Sequence, residues 1–145
     1  MTESFRTNRR VEFADTDAAG IAHFTAFMRW MEQAEHEFLR SRGLSVMSSD
    51  ETGPISWPRV FASCDFRGAV RFEDTVDIDV AIDRLGEKSI TYAFTFSHGG
   101  ATVAEGTLTA VCCRLTPGKP PQSIGIPEWF REKLGESGKR KAESG

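Results

Sequence analysis

Between residues 24 and 39 apolar side chains recur at Phe24, Phe27, Met28, Met31, Ala34, Phe38 and Leu39. That three-and-four spacing gives a helix one apolar stripe and predicts a helix from about Thr25 to Arg42. Gly43 is its natural stop, and Arg40 and Arg42 complement the negative end of the helix dipole. The preceding stretch, Phe5 to Phe13, alternates imperfectly and ends with Val11 and Phe13 on one face, which predicts a first strand. Beyond the helix, Ser45 to Pro58 reads as a polar loop, longer than a bare connection needs. Period-two alternation then returns at Val60, Ala62, Cys64 and Phe66, at Val76, Ile78, Val80 and Ile82 against Asp77, Asp79 and Asp83, and at Ile90, Tyr92, Phe94 and Phe96. His98-Gly99-Gly100 joins the last of these to a run from Ala101 to Leu115, which predicts an antiparallel hairpin. Pro117 to Pro127 ends the strands, and Glu128 to Leu134 is suited to a short helix.

One early helix followed by four or five successive strands indicates an α+β chain, with the helix laid across an antiparallel sheet. A single helix covers only part of one sheet face, so the remaining apolar strand surface calls for a second copy of the chain. At 145 residues the chain has room for one domain, expected over 1–134, with a polar and disordered tail over 135–145. A formal charge of -3 gives no basic bias toward nucleic acid. No apolar run reaches the ~20 residues a membrane helix requires, and the N-terminus lacks a signal-peptide core, so the expected location is the cytoplasm. Cys64, Cys112 and Cys113 fall in strand-like segments, away from metal-ligand spacing, and read as packed thiols. No metal cluster or glycine-rich phosphate loop is present in the sequence, which argues against a metal or nucleotide cofactor.

The densest chemistry lies where the first strand hands over to the helix, in Asp15-Thr16-Asp17-Ala18-Ala19-Gly20-Ile21-Ala22-His23-Phe24. A helix start leaves backbone N–H groups without intrahelical acceptors, so it can polarise a carbonyl oxygen beside a nearby carboxylate. Asp, Thr and Gly ahead of a helix are equally ordinary turn and capping residues, and from spacing alone both readings stay open.

The run Val11-Glu12-Phe13-Ala14-Asp15-Thr16-Asp17-Ala18-Ala19-Gly20-Ile21 and the aromatic-rich helix behind it resemble the hotdog-fold acyl-CoA thioesterases of the 4-hydroxybenzoyl-CoA thioesterase-like group. The likeness is closest over residues 10–44 and continues loosely to Leu115 through Trp57-Pro58-Arg59-Val60. It implies a hotdog fold, paired edge strands in a homodimer or a dimer of dimers, and sites between subunits. It also implies hydrolysis of an acyl- or aryl-CoA to the free acid and coenzyme A, with coenzyme A part of the substrate. By the same resemblance Asp17 is the catalytic carboxylate, as general base or nucleophile, and the Phe24 N–H is the donor to the thioester carbonyl. Asp15 then caps or orients the turn, and Gly20 supplies backbone shape.

His23 stands where many relatives carry Phe or Tyr, and Phe24 where they often carry Tyr or His, so a side-chain hydroxyl role is in doubt while a backbone donor survives. His23 is open between a site residue and a capping histidine. A second hotdog subfamily carries its catalytic Glu on the helix, which makes Glu35 the alternative base against a solvated or salt-bridged reading of Glu35 and His36. Phosphates of the CoA moiety call for basic partners. Arg59, Arg67, Arg71, Arg84, Lys88 and Arg114 are candidates, and Lys88-Ser89 resembles the family segment near the nucleotide. A hydroxyacyl-thioester dehydratase and a noncatalytic acyl-thioester binder are the rival readings.

Overall fold

The computed structural model describes residues 4–135; most of the expected tail, 136–145, lies outside the described residues. A strand β1 (Phe5–Arg10) and a 3-10 turn (Phe13–Asp15) lead into the long helix α1 (Phe24–Ser41). The strands β2 (Ser48–Asp50), β3 (Gly53–Ser56), β4 (Arg59–Phe66), β5 (Thr75–Leu85), β6 (Ser89–His98), β7 (Ala101–Val111), β8 (Cys113–Arg114) and β9 (Gln122–Ser123) follow, and helix α2 (Glu128–Lys133) closes the described chain. The main sheet is antiparallel in the order β1-β5-β6-β7-β4, and a smaller sheet runs β2-β3-β8-β9. Helix α1 lies across the main sheet in the hotdog arrangement.

Alternation builds the core. Val76, Ile78, Val80 and Ile82 on β5 are buried beside Ile90, Tyr92, Phe94 and Phe96 on β6, while Asp79 points outward and takes a two-pronged contact from Arg6, 2.9 and 2.8 Å. The β6–β7 turn has Gly99 and Gly100 at φ of +60° and +84°, the pair of positive angles a tight hairpin turn requires. Helix α1 fits against β7 because Gly106 has no side chain: Met31 occupies the space a Cβ there would need. Phe27 and Phe96 meet edge-on with ring centres 5.2 Å apart, seating the helix N-terminal half.

Three expectations are corrected. The first strand stops at Arg10, and Phe13 is 77% exposed rather than paired with buried Val11. The reason is a reciprocal cap: Glu12 N–H donates to Asp15 Oδ2 at 2.9 Å, winding residues 13–15 into a turn. The presumed polar loop 45–58 contains the β2–β3 hairpin, which Arg114 locks by donating to Asp50 Oδ1 at 2.6 Å and Oδ2 at 3.0 Å. Val60 leaves the predicted alternation because β4 bulges between Arg59 and Phe61, so Val60 faces outward.

Candidate active site

The turn that follows the 3-10 segment is held almost entirely by backbone. Asp17 N–H donates to Ile21 O at 2.9 Å, Gly20 N–H returns to Asp17 O at 2.9 Å, and Ala22 N–H donates to Val70 O at 2.8 Å. Gly20 adopts φ of +80°, the left-handed conformation that closes this loop. Within the loop Asp17 Oδ1 accepts the Ala19 N–H at 2.9 Å. Among the described residues no donor reaches its Oδ2. Asp15 serves the turn: besides bonding Glu12, its Oδ1 accepts from Arg29 on α1 at 2.9 Å. That matches a capping and orienting role.

His23 is the N-cap of α1. Its Nδ1 accepts the Thr25 N–H at 3.2 Å, and its ring stacks on Phe24 with centres 4.6 Å apart. The Ala26 N–H is taken by His23 O at 2.9 Å. The Phe24 N–H, at the first helical position, has no acceptor among the described residues, so the helix start keeps one free donor of the kind that binds a carbonyl oxygen or an anion.

Asp17 and Phe24 line the same cavity, of about 360 Å³, together with Ile21, Phe27, Phe66 and Val70. A single carboxylate stands at the edge of an otherwise apolar chamber. Phe66, at the end of β4, is the wall that sequence reasoning missed. Its signal was the alternation that marks β4, but only the fold brings that strand end to the Asp17 turn, where Phe66 meets Phe27 edge-on at 5.2 Å.

Of the remaining candidates Arg71 stands beside this turn, bridged to Ile21 and with Nη1 3.9 Å from where a Gly20 Cβ would be, while those that follow are elsewhere. Glu35 is 1% exposed on the core side of α1 and lines neither that chamber nor its mouth. Arg59, on β4, donates to Glu35 Oε1 at 2.5 Å and Oε2 at 3.2 Å, and to Trp57 O at 3.1 Å. Burial pushes the Glu35 carboxyl up to about 7 against the opposing pull of Arg59. Glu35 is thus salt-bridged, and the expectation of a solvated side chain is corrected by its burial against Arg59. Lys88 and Ser89 sit in and after the β5–β6 turn, beside Arg59's end of the sheet: Ser89 pairs with Val111 and Arg59 with Ala110, whereas Phe66 pairs with Ala104. Within one chain they are therefore about seven residues of strand, ~23 Å, from the Asp17 end. Arg114 is spent on Asp50, and Arg67 pairs with Glu105 at 3.3 Å.

Known proteins are similar to this chain in sequence and fold. The family model described as thioesterase-like superfamily matches residues 11–134. A protein named putative esterase from Aquifex aeolicus (strain VF5) is 31% identical over 130 residues, which cover 90% of this chain and 97% of that one. A solved gentisyl-coenzyme A thioesterase is 28% identical with a TM-score of 0.76, covering 90% of this chain and 100% of its own. The 1,4-dihydroxy-2-naphthoyl-CoA thioesterase from Synechocystis superposes with a TM-score of 0.81 at 23% identity, covering 92% and 97%, and shares the fold.

Proposed function

This chain belongs to the thioesterase-like superfamily, and from that premise we propose that it hydrolyses the thioester of an acyl- or aryl-CoA, with Asp17 as the catalytic carboxylate. One observation carries the reading: Asp17 and the helix start bearing the free Phe24 N–H open onto one apolar chamber. An acyl group in that chamber is shielded from water, and its thioester oxygen faces the Phe24 N–H as negative charge develops on it. Asp17 then either takes a proton from water as that water attacks the carbonyl carbon, or attacks the carbon itself and forms an anhydride that water cleaves. In both routes the C–S bond breaks, coenzyme A leaves as thiolate and is protonated, and the acid is released. Coenzyme A enters as part of the substrate, and no other cofactor is needed.

The working unit in this proposal is a homodimer built on β4. The β1 edge is blunted by charge, with Arg6 held to Asp79 and Arg9 to Glu37. The β4 edge carries Val60, Phe61 and Phe66 at 61%, 54% and 48% exposure. Antiparallel pairing of two β4 strands would bring one copy's Lys88 and Ser89 toward the other's Asp17, which is where phosphates of the CoA moiety would need them. That supports Lys88 and Ser89 as CoA contacts across the interface, and leaves Arg59 to its ion pair. Among the described residues no helix is long and apolar enough to cross a membrane.

The test is release of free thiol across straight-chain acyl-CoAs and hydroxyaryl-CoAs. The expected result is turnover of at least one class. Tight binding of the same thioesters with no thiol released would replace the hydrolase with a carrier.

A further inference from the structure

A second cavity, of about 190 Å³, lies farther along the same helix and strand, lined by Met28, Met31, Glu32, Arg59, Ala62 and Leu108. It is aligned with the Asp17 chamber by the periodicities of the two elements. On α1, Phe24 and Phe27 of the first cavity are followed one turn on by Met28 and Met31 of the second, since residues four apart share a helix face. On β4, Phe66 of the first and Ala62 of the second point to the same side, with Cys64 between them: all three pair with core-facing partners on β7, Ala104, Gly106 and Leu108. The two cavities therefore lie in line along the side of α1 that faces the β4 edge. Apart from Asp17 in the first and Glu32 and Arg59 in the second, their lining is apolar.

The Arg59 end is closed by a satisfied ion pair. Two of the guanidinium nitrogens are committed to Glu35 and to Trp57 O, and Nη2 also lies 3.6 Å from Glu32 Oε2. A donor already so engaged is a poor hook for a ligand and a firm barrier to an alkyl tail. A methyl group pressed against it would strip water from the half-exposed Arg59–Glu32 contact and return no hydrogen bond. From Phe24 to Glu32 the helix rises about 12 Å, two turns, which is the apolar run available to a tail before it meets the barrier.

We propose that the two cavities join as one acyl furrow, and that Arg59, held by Glu35, is its end-stop and sets the length of acyl chain this protein accepts. The inference rests on the thioesterase reading for its substrate, and adds to it a length limit and the residue that imposes it. Arg59 is a specificity-determining residue here, distinct from the reacting groups at Asp17.

The experiment measures kcat/KM for thiol release, and Kd in parallel, for hexanoyl- and dodecanoyl-CoA with the full chain. In the double variant Arg59→Met/Glu35→Gln, which removes the barrier without stranding a buried charge, the dodecanoyl-to-hexanoyl ratio should rise at least tenfold. Ala62→Phe narrows the furrow midway and should lower the ratio at least tenfold. A folded double variant, judged by circular dichroism, whose ratio stays within twofold of the parent overturns the proposal. If the double variant does not fold, Ala62→Phe decides alone, and an unchanged ratio there overturns it. If the parent binds these acyl-CoAs without releasing thiol, the Kd ratios judge the furrow by the same thresholds, and the hydrolase reading rests on the hydroxyaryl-CoAs. A parent that binds neither thioester overturns the furrow, while thiol release from hydroxyaryl-CoAs still decides the hydrolase reading.

Discussion

Arg59 on the β4 edge reaches across to Glu35 on α1 with two hydrogen bonds, at 2.5 and 3.2 Å, and so ties the outermost strand to the helix. Glu35 is faced by Arg59 from β4, by Glu32 and His36 on its own helix, and by Tyr92 from β6, where burial beside Glu35 holds the phenol well above its ordinary range. Because burial raises the folded-state value of Glu35 to about 7 from 4.5, the folded chain holds this proton more tightly than the unfolded one. The stabilisation is then fully present below the unfolded value and is lost as pH rises through about 7. Melting temperature should therefore fall between about pH 5 and pH 8. Glu35→Gln should flatten that slope, and an unflattened slope would assign it to other groups.

Asp17→Asn keeps the shape of the turn and the bond from Ala19 while removing base and nucleophile together. Thiol release should drop by ~100- to 10,000-fold with folding intact. Asp15→Asn should cost less, because Asp15 acts through Glu12 and Arg29. If Glu35→Gln abolishes turnover while Asp17→Asn does not, the helix carboxylate is the base. Single-turnover hydrolysis in labelled water separates the two routes open to Asp17: label in its carboxylate marks the anhydride, and label in the product alone marks direct base catalysis.

At Gly106 a methyl group would overlap the Met31 sulfur and crowd Ser63 O at 3.3 Å. Gly106→Ala should destabilise the fold by about 1–3 kcal/mol, since Met31 and the helix carrying it must shift. Denaturant titration measures the loss, and Met31→Ala combined with it should restore part of what the single change costs.

Gly20 has open space around it, with only Arg71 Nη1 near a hypothetical Cβ at 3.9 Å, so the penalty there is conformational. Holding φ at +80° with a side chain attached costs roughly 1–2 kcal/mol. Gly20→Val should lose that stability and also slow thiol release by moving Asp17, whereas a variant with the parent kcat would show that the turn accommodates the strain.

Helix α1 was legible to within a residue or so at each end, because the apolar stripe and Gly43, at φ of +72°, are local signals. β5, β6 and the turn between β6 and β7 were legible from equally local signals, though β5 runs on to Leu85 and β6 to His98. What local pattern could not carry was anything fixed by a distant partner. The β2–β3 hairpin depends on Arg114, 64 residues beyond Asp50. Glu35 stood open between a base and a solvated or salt-bridged side chain, because its partner Arg59 lies 24 residues away. Asp17, Gly20 and Phe24 were singled out through a contiguous motif, and the structure brings Asp17 and Phe24 to one chamber. Phe66 was visible only as a strand residue, and nothing near it in sequence says that its strand ends at the Asp17 turn.

The backbone bonds that hold the Asp17 turn have a consequence for how such a protein changes over generations. Asp17 N–H, Gly20 N–H and Ala22 N–H all end on main-chain oxygens, whereas the chamber in front of Asp17 is walled by the side chains of Phe24, Phe27 and Phe66. Anchor and wall are made of different parts of the polypeptide. Substitutions at the wall can reshape what the chamber admits without loosening the carboxylate, so one scaffold can drift from ligand to ligand while the Asp17 corner stays put.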